Sequence, residues 1–92
     1  MRLRITKSAR QYGYIIWSGA TSNEMEKMLS GKNEISVIFN GYNIGVKKID
    51  RTYNRISIGF GKTRELPIYQ NWFEISLKDD ALEVYTISDT RI

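Results

Sequence analysis

The 92-residue chain contains no cysteine, no histidine and only one proline. Without cysteine there is no disulfide framework, no thiolate metal site and no thiol nucleophile. Without histidine, the usual near-neutral proton shuttle and the commonest metal ligand are missing. No apolar run approaches the roughly 20 residues that a membrane-spanning helix needs. The opening Met1-Arg2-Leu3-Arg4-Ile5 lacks an apolar signal segment. These absences set the expectation of a cytoplasmic protein with no metal, no cofactor and no membrane contact. What is present is ordinary for a folded protein: 41% hydrophobic and 26% charged residues argue against disorder. The length suits a single domain with a modest core.

Charge is unevenly spread. Residues 1–64 carry 12 Lys/Arg against 4 Asp/Glu, a net +8, whereas residues 65–92 carry 2 against 6, a net −4. Such asymmetry points to a polyanionic partner for the basic part. A globule whose basic and acidic segments merely neutralise one another is the alternative.

Alternation of apolar and polar residues dominates the pattern. Arg2 to Lys7 reads as a strand with Leu3 and Ile5 inward, and Tyr12 to Trp17 as a second strand, with Ser8 to Gln11 as a turn or hairpin tip between them. A helix is expected over about 22–30, where Thr21 and Glu24 have capping-box spacing and Met25, Met28 and Leu29 form one stripe. Strands follow at Glu34–Phe39, Tyr42–Ile49 and Arg55–Phe60, the first two joined by Asn40-Gly41, the strongest hairpin signal in the chain. Residues 61–71 read as irregular because Pro67 argues against a central strand. A last hairpin pairs Trp72–Leu77 with about Leu82–Ser88 around residues 78–81. The expected fold is mainly β with one short helix, in the order β-β-α-β-β-β-β-β, rolled into a small antiparallel barrel. Residues 1–64 form its basic body and 65–92 its acidic C-terminal hairpin.

Catalytic signatures are weak. Gly59-Phe60-Gly61-Lys62-Thr63 ends like a phosphate-binding loop, but Ile56 stands where the earlier glycine belongs and no helical pattern follows. Asp79-Asp80 reads as a solvated turn rather than a catalytic pair. Ser8, Ser18, Ser30 and Ser57 lie outside any nucleophile elbow, with no histidine to activate them. The chain is therefore expected not to be an enzyme and to have no small-molecule substrate.

The basic residues remain. Arg2, Arg4, Lys7 and Arg10 occupy the first ten positions with no acid among them. Lys47, Lys48, Arg51, Arg55, Lys62 and Arg64 lie in 47–64 with Asp50 the only acid. Tyr12, Tyr14, Tyr42 and Tyr53 interleave with these groups. Cations at backbone spacing suit phosphates, and aromatic faces suit unpaired bases. The expected nucleic-acid contacts are Arg2, Arg4, Lys7, Arg10, Lys47, Lys48, Arg51 and Arg55.

The order of Thr6-Lys7, Gly13, the helix ending Met28-Leu29, and the turn Ser30-Gly31-Lys32-Asn33-Glu34 before Ile35 resembles that of the AbrB-type swapped-hairpin transcription factors over about residues 3–60. The family's proline before the helix and its helix arginine have no counterpart, and Asn33-Glu34 replaces its Gly-Asp turn. The resemblance implies a dimer with interleaved hairpins, and DNA contact through Lys7 and Arg10. The functional expectation is a non-catalytic nucleic-acid-binding protein, a dimeric DNA-binding regulator in that family's manner. The alternative is a protein-interaction or assembly module built on the hairpin 72–88.

Overall fold

In the computed structural model, residues 1–88 are described. The chain forms β1 (Arg2–Arg4), α1 (Lys7–Tyr12), β2 (Tyr14–Ile16), a 3-10 turn (Gly19–Thr21), α2 (Ser22–Leu29), β3 (Glu34–Phe39) and β4 (Tyr42–Asp50). Then come β5 (Arg55–Ser57), a second 3-10 turn (Phe60–Lys62), β6 (Gln70–Lys78) and β7 (Ala81–Ser88). One seven-stranded sheet has the order β1-β6-β7-β3-β4-β5-β2 and rolls into a nearly closed barrel. The last four residues of the acidic C-terminal segment lie outside the described residues.

The mainly β reading holds, with three corrections. First, residues 7–12 form a helix in place of the expected turn or hairpin tip at residues 8–11 and the strand ends beside it. Thr6 Oγ1 accepts the Ala9 N–H at 3.1 Å, and Gly13 closes the helix at φ +73, its N–H donating to the Ala9 carbonyl at 2.9 Å. A polar cap before and a glycine after are ordinary helix boundaries. The flanking strands therefore do not pair with each other: β1 pairs with β6 and β2 with β5. The first hairpin implied by the swapped-hairpin resemblance is not formed.

Second, the sheet is mixed. β3 and β7 run parallel, from Ser36 opposite Ala81 to Phe39 opposite Val84. Asn40 extends this seam, donating from its N–H to the Val84 carbonyl at 2.8 Å and accepting the Thr86 N–H on Oδ1 at 2.9 Å. The expected Asn40-Gly41 turn does form, both residues having positive φ (48° and 88°).

Third, the capping box at Thr21 is not made. Thr21 Oγ1 turns back, donating to the Ser18 carbonyl at 2.7 Å and accepting the Ser18 N–H at 3.2 Å. The helix α2 itself lies where its stripe placed it, with Met25 and Leu29 buried.

The strand alternation fills the barrel: Leu3, Ile15, Val37, Ile56, Phe73, Ile75, Leu82 and Val84 are buried, and the helices add Ala9, Met25 and Leu29. Each such apolar side chain contributes about 1.5–3 kcal/mol when fully buried, alanine less. The acidic hairpin is no appendage. β6 and β7 each have a strand on both sides, and Phe73 packs edge-on to Phe39 with centroids 6.4 Å apart. Its turn is two residues long, Asp79-Asp80, with Lys78 paired to Ala81.

Candidate nucleic-acid interface

The basic residues separate into structural and surface groups. Arg10 turns into the protein. Its guanidinium donates to the carbonyls of Leu66 at 3.0 Å, Pro67 at 3.5 Å and Gln70 at 2.6 Å, tying the irregular segment 61–69 to α1. Buried Thr63 reinforces the tie, donating from Oγ1 to the Arg10 carbonyl at 2.6 Å. Arg64 does similar work, with Nε donating to the Gln11 carbonyl at 2.9 Å and its guanidinium 4.6 Å from the Phe60 ring. Arg2 bonds Glu74 at 2.8 Å, and Arg51 bonds Glu26 through contacts of 3.0–3.2 Å. Arg4 lies over the Trp72 ring at 5.4 Å.

Lys7, Lys47, Lys48 and Lys62 form no ion pair among the described residues. Lys47 and Lys48 cannot share a face, because successive strand residues point oppositely. Lys47 sits opposite buried Ile35, whereas Lys48 sits opposite exposed Glu34 and points outward. Lys47 and Lys48 therefore cannot both belong to one outward basic face.

What the fold does assemble is an aromatic and cationic face on β2, β5 and the end of β4. Arg55 projects outward from β5 and packs against two rings, 4.3 Å from the Tyr14 centroid and 4.6 Å from that of Tyr53. Tyr12 continues the row, 6.1 Å from Tyr14. An open concavity of about 440 Å³ lies here, lined by Tyr14, Lys48, Ile49, Asp50, Arg55 and Ser57. Tyr12 and Tyr53 are 52% and 64% exposed, so both present ring surface to solvent.

Local sequence explains the placement. Asp50 Oδ1 accepts the N–H groups of Thr52 at 3.0 Å and Tyr53 at 3.3 Å, an Asx-type turn that presents the Tyr53 ring. The other carboxylate oxygen meets Arg55 Nε at 3.4 Å, so Asp50 orients both the cation and the ring beside it. Gly13 sets the other side. A side chain there would place its Cβ 2.2 Å from the Gly59 carbonyl carbon, so only glycine lets the Tyr12–Tyr14 segment lie this close to the chain after β5.

Sequence reasoning singled out Lys48, Arg55 and the tyrosines 12, 14 and 53, and these come together here. Tyr42, 77% exposed, stands apart beside the β3–β4 turn. Phe60 was missed as a surface ring; its place in a glycine-flanked turn was the available signal. The phosphate-loop reading fails, since the residues after Gly59 form a 3-10 turn and no α-helix. Among the described residues no group of three or more His, Cys, Asp or Glu could hold a metal, and no helix is long and apolar enough to cross a membrane. Comparison with protein-family models, with curated proteins and with solved structures finds no match.

Proposed function

We propose that the protein is a non-catalytic nucleic-acid-binding protein, which holds an unpaired strand on the face of β2, β5 and the end of β4. The observation that carries this reading is the packing of Arg55 against Tyr14 and Tyr53 beside the outward Lys48 and the open concavity. Solvent-exposed rings offer stacking surfaces to splayed bases, and Lys48 and Arg55 supply charge for the phosphates between them. Stacking of this kind needs bases that are not already stacked in a duplex, which favours a single strand. Arg10 belongs to the scaffold in this reading; Arg2, Arg51 and Arg55 each meet one carboxylate, and of these three Arg55 is the one that also packs against exposed tyrosine rings. The hairpin 72–88 offers less to a partner, because Phe73, Ile75, Leu82 and Val84 are committed to the core.

The test is a fluorescence-anisotropy titration with a labelled single-stranded oligonucleotide and its duplex at about 50 and about 200 mM salt. With two phosphates neutralised, single-strand affinity falls about sevenfold across that range. Tighter binding of the single strand, with that salt dependence, supports the proposal. Absence of binding at low salt, indifference to salt, or preference for the duplex contradicts it.

A further inference from the structure

The barrel is left open at one seam, between the two terminal strands of its sheet. On β1, the Met1 ammonium donates to the Ile75 carbonyl and the Ile75 N–H to the Met1 carbonyl, both at 2.7 Å, while the Ile5 N–H reaches the Asn71 carbonyl at 2.9 Å. Alternate residues therefore bond β6, and the N–H and C=O groups of Arg2 and Arg4 turn the other way. On β2, the Gly13 carbonyl accepts the Ile58 N–H at 2.8 Å and the Trp17 N–H reaches the Asn54 carbonyl at 3.0 Å. The same alternation turns the backbone groups of Tyr14 and Ile16 away from β5. Among the described residues, no ladder pairs these two edges. A concavity of about 260 Å³ opens at this seam, lined by Arg2, Leu3 and Arg4 of β1, by Ile16 of β2 with Ser18 after it, by Thr6 and Thr21 of the connecting segments, and by Trp72 of β6.

We infer that this seam docks an extended acidic peptide from a partner protein, which adds as an eighth strand between β1 and β2. Two unpaired edges facing one cleft form a template for strand addition. Following the pairings around the sheet, β1 and β2 run antiparallel to each other. The guest strand is thus antiparallel to one wall and parallel to the other. Its alternate residues fall into two rows. The inward row lies between buried Leu3 and Ile15 and takes apolar side chains. The outward row lies beside Arg2, which already meets Glu74, and Arg4, which lies over the Trp72 ring, with Lys7 just beyond; among the described residues no carboxylate forms an ion pair with Arg4 or Lys7. Acidic residues in that row complete the pairing across strands. A second copy of this chain is disfavoured there, since Arg2 and Arg4 of its β1 edge would face their own kind.

The test is amide hydrogen exchange by NMR on the full chain, alone and with a capped hexapeptide alternating Glu and Val, against its Lys–Val counterpart. Arg2, Arg4, Tyr14 and Ile16 should exchange freely in the protein alone and about tenfold more slowly with the Glu–Val peptide only. Arg4→Pro removes one seam-facing N–H and no β1–β6 bond, and should weaken peptide binding more than Arg4→Ala, which removes the charge alone. Protection of these amides in the protein alone, equal protection by both peptides, no protection by either, or protection by an oligonucleotide instead would each overturn the inference. None of these measurements uses the rings of Tyr14 and Tyr53, so the seam and the aromatic face fail independently.

Discussion

Gly13 carries the sharpest stability prediction, because it joins the fold to the candidate site. The residue caps α1 at φ +73, and its carbonyl accepts the Ile58 N–H at 2.8 Å. Alanine in the left-handed region costs about 1–2 kcal/mol on its own. Its Cβ would also fall 2.2 Å from the carbonyl carbon and 2.3 Å from the carbonyl oxygen of Gly59. Both are backbone atoms and cannot swing aside, so the strand and the turn must separate. Overpacking of this kind adds about 1–3 kcal/mol, giving roughly 3 kcal/mol or more in total. For a domain of this size that lowers the unfolding midpoint by about 12–24 °C. Gly31 is the control: its φ is +70, but a Cβ there meets nothing within 4 Å. Gly31→Ala should therefore cost only the conformational part, about 1–2 kcal/mol. Thermal and urea unfolding followed by circular dichroism measure both variants. Equal destabilisation of the two refutes the close approach of Gly13 to Gly59. So does a Gly13→Ala protein as stable as the wild type.

Tyr53→Ala should weaken single-strand binding by a factor of about 5 to 160, the loss of one stacked base, with little change in stability; anisotropy and thermal unfolding check the two together. Lys48→Ala should flatten the salt dependence by about one neutralised phosphate, read from the slope of affinity against salt. Arg10→Ala should do the reverse, destabilising the fold by about 1.5–3 kcal/mol in urea unfolding through loss of charged bonds to carbonyls. Measured where the variant is still folded, it should leave oligonucleotide affinity nearly unchanged.

Much of the core was legible because strand periodicity is local. Leu3 and Ile5, Ile35 to Phe39, and Phe73 to Ile75 announce their inward face by alternation alone, and the Met25–Leu29 stripe announces the helix. The errors arose where the deciding partner is remote. Ser8 to Gln11, between two alternating runs, resemble a hairpin tip until Thr6 and Gly13 are read as helix boundaries. The parallel β3–β7 pairing joins residues more than 40 positions apart, and no local pattern encodes it. The residue types of the candidate face were legible, but not which residues join it. Counting cations could not show that Arg10 is spent on carbonyls, that Arg2, Arg51 and Arg55 each meet a carboxylate, or which tyrosines share a face with Arg55. The divergence of Lys47 and Lys48, by contrast, follows from strand geometry alone and was available at the outset.

The central claim, that one aromatic and cationic face takes up an unpaired strand, is tested most directly by chemical-shift mapping with a single-stranded oligonucleotide. Shifts concentrated on Tyr12, Tyr14, Lys48, Tyr53 and Arg55, with the outward residues of β6 and β7 silent, are the predicted result. Shifts spread over the whole surface, or centred away from Arg55, contradict it.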